Sequence, residues 1–129
     1  MLRAGLPRET AIFAGDDEPQ ARHFVATIDG RIVGCVTLLL NEWKDEPAWQ
    51  LRGMAVEPGI QRGGIGSRLL QACEESVLSS PTHLLWCNAR VPASGFYTKH
   101  GWRTVSEGFE FPTAGPHVKM LKRLEPGVR

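Results

Sequence analysis

The sequence predicts an α/β fold of the mixed α+β kind, with a central mixed β-sheet flanked by helices. A glycine-rich segment at 56–67 follows an apolar run of strand character and precedes a run with helical periodicity. The dipeptide Asp29-Gly30 separates two further β-rich runs, which is typical of a hairpin with a type I′ turn. Because strands lie on both sides of a helix at the glycine-rich segment, we expect parallel strand pairing beside it.

Length and composition are those of one globular domain, which we expect to span residues 1–129. The chain has 42% hydrophobic and 22% charged residues, which is ordinary for a globular protein. A formal net charge of +1 argues against nucleic-acid and anionic-membrane partners. The sequence has no run as long as a transmembrane helix and no signal-peptide pattern, so a cytoplasmic location is expected.

Cysteine and histidine usage predicts no metal site. The three cysteines are odd in number and widely spaced, and neither they nor the four histidines show metal-ligand spacing. Each cysteine falls in an apolar run, so we expect three buried thiols in a reducing compartment. The cysteines are Cys35, Cys73 and Cys87, and the histidines are His23, His83, His100 and His117.

Before the glycine-rich segment, the chain is expected to form mainly strands. Residues 1–22 are polar and loop-rich, with room for one short helix. Gly53 lies inside the last of the expected strands and indicates a β-bulge. The expected elements are a helix at 8–13, strands at 23–28, 31–40 and 49–56, and a loop at 41–48.

From the glycine-rich segment onward, helices and strands are expected to alternate. A helix is expected at 64–79, because apolar residues recur there at every fourth position and form one buried face. Pro81 marks the end of that helix. The apolar positions are Ile65, Leu69, Cys73 and Val77. The later elements are a central strand at 83–88, a short helix at 92–100 that stops at Gly101, and strands at 103–109 and 117–124.

The glycine-rich segment has the features of an anion-binding loop. Glycines let the backbone approach a ligand closely, and the first N–H groups of a helix lack intrahelical partners. A phosphate at this place would accept hydrogen bonds from backbone amides at the positive end of the helix dipole. The alternative interpretation is an ordinary strand-to-helix turn that contains loop glycines.

Two common nucleotide motifs do not match this loop. The Walker A motif needs Lys and then Ser or Thr after its second glycine, but Ile65 and Gly66 follow Gly64. The dinucleotide-binding motif needs a third glycine where this chain has Leu69. The glycine-rich segment therefore matches neither the Walker A motif nor the dinucleotide-binding motif.

The order of residues in the loop resembles the first motif of the GNAT family of N-acetyltransferases. The resemblance covers spacing as well as identity, with one departure, since Arg62 stands where the family often has glycine. It implies that the loop backbone holds the pyrophosphate of acetyl-CoA, which serves as co-substrate. The matching residues are Val56, Pro58, Gln61, Gly64 and Gly66.

A second segment, about thirty residues further on, resembles another motif of the same family. Phe96, Tyr97 and Gly101 match that motif. Many members carry an asparagine seven positions before the tyrosine, where this chain has Arg90, and Asn88 lies two residues earlier. Two motifs in the right order strengthen the resemblance.

The resemblance implies a set of residues around acetyl-CoA. The loop and the strand before it would contact the co-substrate, and the strand backbone at 54–56 would polarise the thioester carbonyl. The implied acetyl-CoA-binding residues are Met54, Ala55, Val56, Gln61, Arg62, Gly63, Gly64, Ile65, Gly66, Ser67, Asn88 and Phe96.

The resemblance also implies a fold and an activity. The fold is the GNAT-type acyl-CoA N-acyltransferase fold, recognisable over 23–124, with its opening strand and one or two helices truncated in the segment 1–22. The activity is transfer of an acetyl group to a primary amine of a small molecule or peptide, by direct attack on the thioester. A late start would explain the short segment, and so would a sheet edge completed by a partner chain, as in a homodimer.

Tyr97 is the candidate catalytic residue. Acetyl transfer from a thioester expels a thiolate, and a positioned phenol is suited to protonate it. The alternative is that Tyr97 packs its ring in the core and ties its hydroxyl to the backbone. The resemblance favours the catalytic role.

Other roles stay open at this level. The candidates for the base that activates the amine are Glu107, Glu110, His117 and Asp17. An acyl-enzyme through Cys87 or Cys35 is disfavoured, because neither cysteine pairs with an obvious histidine. Trp49 and Arg52 either line the acceptor cleft or belong to the ordinary packing and surface of the sheet.

Two other functions remain as alternatives. One is a catalytically silent CoA-binding or interaction module of the same fold, which the short N-terminal segment motivates. The other is an unrelated phosphate-binding α/β protein, for which nucleotides would compete as well as CoA does. The sequence does not identify the acceptor amine.

Overall fold

The computed structural model describes residues 10–14 and 20–125, and over these ranges its strands form one eight-stranded mixed sheet. This is the fold class that the sequence predicts. The strands are β1 (Thr10–Ala14), β2 (Ala21–Ile28), β3 (Arg31–Trp43), β4 (Glu46–Val56), β5 (Leu84–Arg90), β6 (Arg103–Thr104), β7 (Phe109–Phe111) and β8 (Gly115–Arg123). The helices are α1 (Ile65–Leu78) and α2 (Ser94–Lys99), preceded by 3₁₀ helices at Pro58–Gly63 and Val91–Ala93. The sheet order is β1-β2-β3-β4-β5-β8-β6, and β7 pairs with β8.

Two tight hairpins build the antiparallel half of the sheet. Between β2 and β3, Asp29 and Gly30 have φ of 52° and 83°, as a type I′ turn requires, so the predicted hairpin is confirmed. Between β3 and β4, Lys44 and Asp45 also have positive φ, 50° and 67°. The predicted loop at 41–48 is wrong, because both strands continue through it and their pairing holds the two turn residues in place.

The N-terminal segment contributes a strand where a helix was expected. β1 pairs antiparallel with β2, and Thr10 lies opposite Ile28. The helix expected at 8–13 is therefore wrong over residues 10–13, while residues 8 and 9 lie outside the described ranges. The opening strand of the implied fold is present as β1, and residues 15–19, which follow it, lie outside the described ranges.

A β-bulge distorts the pairing of β3 with β4. Cys35 lies opposite Ala55 and Thr37 lies opposite Arg52, so two residues of β4 oppose a single residue of β3. Gly53 is one of the two and has a φ of 65°, a conformation that favours glycine. The bulge predicted from this glycine is confirmed.

β4 and β5 form the parallel pair of the sheet, as predicted, but they pair over only three positions. Trp49 lies opposite Leu85, and the pairing ends where Leu51 lies opposite Cys87. Both strands then continue without pairing to each other, β4 to Val56 and β5 to Arg90. The sheet therefore opens between them.

The helix α1 covers one face of the sheet. It buries Leu69, Cys73 and Val77 completely, so the predicted apolar face is confirmed. The main core lies between this helix and the sheet and includes Leu51 and Cys87. None of the helices in the described part of the chain is long and apolar enough to span a membrane.

The opposite face of the sheet buries a smaller cluster. Trp86 and Leu121 lie in it, and the Trp43 ring packs on Trp86 with their centroids 5.4 Å apart. Residues that alternate with the main core along β4, β5 and β8 therefore lie on this second face. The assignment of side chains to the two faces decides the chemistry of the site described below.

The exposed Cys35 corrects the expectation of three buried thiols. Cys73 and Cys87 are buried, but Cys35 is exposed. It alternates along β3 with the buried Val36, so its side chain lies on the other face of the sheet, where the described residues leave it exposed. An apolar sequence run does not say which residue of a strand faces the core.

The C-terminal elements differ from prediction at one place. The strand expected at 103–109 is split into β6 and β7, and both pair with β8. Between them, the Ser106 hydroxyl accepts a hydrogen bond from the Lys119 amide at 2.8 Å, which takes the chain out of the ladder. The short helix that stops at Gly101 is confirmed, and Gly101 has a φ of 92°.

The buried thiols predict that the fold loses stability at alkaline pH. Burial, assisted by the Glu74 charge, raises the pKa of Cys73 to about 12, and burial raises the pKa of Cys87 to about 12. An unfolded thiol has a pKa of about 8.5, so above that pH the unfolded state releases protons that the folded state retains. The free energy of unfolding should therefore fall as pH rises from about 8.5 toward 12.

Cys73→Ala should remove one of the two thiol contributions, so the free energy of unfolding should fall less steeply with pH. The measurement is urea denaturation under reducing conditions at a series of pH values. The slope of the free energy of unfolding against pH is compared, rather than its absolute value, because truncation of a buried side chain lowers stability at every pH. Cys35→Ala is the control and should keep the original slope. An unchanged slope in Cys73→Ala would contradict the explanation.

Candidate active site

A cleft of about 380 Å³ lies where β4 and β5 diverge. The ends of both strands form its walls, α2 contributes to one side, and β7 and β8 contribute to the other. The predicted residues that line it are Met54, Asn88 and Tyr97, together with the two earlier candidates Arg52 and His117. The divergence of two parallel strands thus gathers residues that are far apart in the sequence.

Tyr97 packs its ring in the core and also lines the cleft. The ring contacts Phe96 edge-on at 5.2 Å and Trp102 at 5.3 Å between centroids. Within the described residues, no hydrogen bond ties the hydroxyl to the backbone or to a side chain. Burial raises the pKa of Tyr97, and the nearby Cys87 and Cys73 raise it further. Tyr97 is therefore a neutral phenol that retains its proton.

His117 has a defined tautomer at the other side of the cleft. Its Nδ1 lies 2.8 Å from the carbonyl oxygen of Gly115, which can only accept, so Nδ1–H donates. The ring is buried and packs edge-on against Phe111, with centroids 4.5 Å apart. In the neutral imidazole, Nε2 is left with a lone pair that can accept a proton.

The other candidate bases are not brought to the cleft. Glu107 and Glu110 are exposed and do not line it. Asp17 lies outside the described residues. Of the three candidate bases that the structure describes, only His117 lines the cleft.

The glycine-rich loop lies at the start of α1. The backbone of Gln61, Arg62 and Gly63 ends a 3₁₀ helix, and Gly64 caps α1 with a φ of 81°. Among the described residues, no side chain caps the first N–H groups of α1, and its first turn has no acidic residue. The unpaired amides and the helix dipole fit a phosphate group.

The first turn of α1 is packed against α2. A Cβ placed on Gly66 would lie 3.4 Å from the Phe96 ring, at ordinary van der Waals distance, so the two helices lie side by side here. The Ser67 hydroxyl and His100 Nε2 form a hydrogen bond of 2.8 Å. Ile65 is buried in the core, so its backbone rather than its side chain faces the loop. These contacts join the start of α1 to α2, the helix that carries Tyr97.

The end of β4 connects the loop with the cleft. Met54 lines the cleft, whereas Ala55 and Val56 pair with β3 beyond the bulge. Because Gly53 and Met54 together oppose a single residue, the bulge takes backbone groups out of the β3–β4 ladder. These groups are suited to polarise a carbonyl in the cleft.

The structure separates the roles left open for two residues of β4. Trp49 is buried in the core, where its indole N–H donates to the Ser80 hydroxyl at 3.1 Å, so it does not line the cleft. Arg52 does line it. Asn88, on the other wall, accepts a hydrogen bond of 2.9 Å from Lys119 Nζ.

Several cleft residues were missed by sequence reasoning. Arg90 could have been found, because it lies two residues after Asn88 and alternation puts both on one face of β5. Gln50 and Phe111 carry no comparable signal, since their place in the cleft depends on strand register and on the return of β7. Ala93 also contributes to the lining.

Comparisons with known proteins agree with the geometry. A family model described as an acetyltransferase (GNAT) domain matches residues 19–104. The uncharacterized N-acetyltransferase YitI of Bacillus subtilis (strain 168) is 39% identical, over 96% of this chain and 85% of its own length.

Solved structures share the fold at low sequence identity. An aminoglycoside 6'-N-acetyltransferase complexed with coenzyme A has a TM-score of 0.70 at 18% identity, covering 86% of this chain and 77% of that one. An IAA acetyltransferase from Bacillus cereus ATCC 14579 has a TM-score of 0.72 at 18% identity, covering 90% and 100%.

The loop geometry predicts different effects for two glycine substitutions. Gly64→Ala places a side chain at a φ of 81°, which should cost about 1 kcal/mol or shift the loop, and coenzyme A should bind about fivefold more weakly or worse. Gly59→Ala is the matched control, because neither residue has any atom within 4 Å of an added Cβ and only Gly64 has positive φ. Calorimetry measures both, and equal affinities would contradict a role for the loop geometry.

Proposed function

This chain belongs to the GNAT family of N-acetyltransferases, and from that premise we propose that it transfers the acetyl group of acetyl-CoA to a primary amine. Enzymes of this family use acetyl-CoA as co-substrate, which supplies an activated acetyl group as a thioester. The observation that carries the proposal is the cleft between β4 and β5, with Tyr97 at one side and His117 at the other. The amine attacks the thioester directly, without an acyl-enzyme.

The proposed seat for acetyl-CoA runs from α1 to the cleft. Backbone amides of residues 61–67 would hold the pyrophosphate, and Phe96 would border the same turn through its contact with Gly66. The backbone at 54–56 and Asn88 would border the acetyl end on opposite walls. The uncapped helix start and the unpaired strand edges support this placement.

His117 is the proposed general base. Its Nε2 lone pair would take a proton from the amine as the new C–N bond forms, while Nδ1–H continues to donate to the Gly115 carbonyl. The packing of its ring against Phe111 holds it in one orientation. The bulge amides beside Met54 would stabilise the negative charge that develops on the carbonyl oxygen.

Tyr97 is the proposed general acid. When the C–S bond breaks, the phenol donates its proton to the departing thiolate of CoA. The electron pair of that bond stays on sulfur, and the transferred proton neutralises it. The buried Cys87 is unsuited to form an acyl-enzyme, because its raised pKa keeps it a thiol.

Removal of the phenol should slow the chemical step. Tyr97→Phe keeps the ring packing and should lower kcat by about 100-fold, with little change in the affinity for acetyl-CoA. Because burial raises the pKa of Tyr97 above its ordinary value of 10, the wild-type rate should show no alkaline decline from this group up to about pH 10. Steady-state kinetics by thiol release measures both, and a fully active Tyr97→Phe enzyme would exclude the acid role.

Removal of the base should have a pH-dependent effect. His117→Gln should lower kcat by about 100-fold at neutral pH, and the defect should shrink at higher pH, where more of the amine is already deprotonated. A structural role would give a defect that does not change with pH. The pH profile of kcat in the variant, measured beside wild type, separates the two.

The proposed activity as a whole is tested with acetyl-CoA and a broad panel of amines. Binding should raise the melting temperature, and thiol release should depend on the amine. Binding of acetyl-CoA without transfer to any amine would instead support the silent CoA-binding module.

A further inference from the structure

The cleft carries positive charge on the face of the sheet that points away from α1. Along β5, Asn88 and Arg90 alternate with Cys87 and Ala89, which belong to the core beneath α1. Arg52 likewise follows the core residue Leu51 on β4 and so lies on the same face as Asn88 and Arg90. Two arginines from the two diverging strands therefore flank one opening.

Two residues of β8 lie beside this charged face. Lys119 lies opposite Asn88 and His117 lies opposite Arg90 in the β5–β8 register. The Lys119 ammonium contacts the Asn88 amide oxygen at 2.9 Å and lies 5.2 Å above the Trp86 ring. It makes these contacts with neutral groups, so its charge adds to the local potential.

No carboxylate neutralises the two arginines within the described residues. The ion pairs of that part of the chain join Arg31, Lys122 and Arg123 to glutamates elsewhere. Among the described residues that line the cleft there is no aspartate or glutamate. Unpaired cations in a cleft attract an anionic ligand group and repel a polycation.

The arginines are poorly placed to hold the phosphates of acetyl-CoA. The glycine-rich loop starts beyond Val56, about 13 Å along β4 from Arg52 at the usual rise per residue. The loop leads into α1, which covers the opposite face of the sheet. The charge on this face is therefore available to the acceptor.

We infer that the acceptor is a small amine that also carries a carboxylate, such as an amino acid, and that Arg52 and Arg90 bind its carboxylate. This inference rests on the proposed transferase function. A cleft of about 380 Å³ suits a small molecule, and Arg forms paired hydrogen bonds with a carboxylate. The carboxylate holds the acceptor on the charged face, so that its amine lies toward His117 and the gap between the strands.

The test compares amino acids with their own carboxamides as acceptors, with spermidine as a polycationic acceptor. A carboxamide has the same side chain and amine but lacks the negative charge, and its amine is less often protonated at neutral pH. At least one amino acid should have a kcat/KM about tenfold or more above that of its carboxamide. Equal or faster turnover of the carboxamides or of spermidine would overturn the inference and leave the transferase function intact.

Substitutions of the two arginines test whether these residues cause the preference for a carboxylate-bearing acceptor. Arg52→Ala and Arg90→Ala should each raise KM for the preferred amino acid about tenfold, and should raise KM for the carboxamide much less. Arg103→Ala is the matched control, because Arg103 is exposed on β6 and lies outside the cleft. The same loss on both members of a pair, or no loss at all, would overturn the inference.

Calorimetry with acetyl-CoA separates failure of the transferase function from failure of the acceptor assignment. If the enzyme binds acetyl-CoA but acetylates neither amino acids nor carboxamides nor other amines, the transferase function fails, and the acceptor assignment fails with it. Transfer to uncharged amines alone would contradict only the acceptor assignment.

Discussion

The short parallel pairing of β4 with β5 is the constraint on which the rest of the site depends. Trp49, Gln50 and Leu51 are held to β5, and beyond them the two strands separate. On its other edge, β4 carries the bulge at Gly53, which bends the strand and strengthens its twist. The opening thus has a backbone cause, and the side chains around it follow from where the pairing stops.

The sheet divides the site into two environments. On the face under α1, an uncapped helix start and glycines present backbone amides, and Tyr97 packs with that core. On the other face, Arg52, Arg90 and His117 surround the same gap. Acetyl-CoA and the proposed anionic acceptor would repel each other in one pocket, and the intervening sheet would keep their charges apart. The gap between the strands is where their reacting groups would meet.

Local signals predicted the parts of the fold that short stretches of chain decide. Asp29-Gly30 predicted its turn because glycine tolerates positive φ, and Gly53 predicted its bulge for the same reason. The turn at Lys44 and Asp45 has no comparable signal, because it contains no glycine and cross-strand pairing holds both residues at positive φ. The split of the strand expected at 103–109 depends on hydrogen bonds to β8, which the segment itself does not encode.

By itself, the sequence determined the fold class, the buried face of α1 and the position of the glycine-rich loop, because periodicity and glycine placement act over a few residues. Only the tertiary structure decided which side chains share the cleft. Trp49 is turned into the core and Arg52 into the cleft by strand alternation and register. His117 is brought to the cleft by pairing between β8 and β5, strands that lie far apart along the chain. Contacts of this range depend on the assembled sheet as a whole, and no local pattern records them.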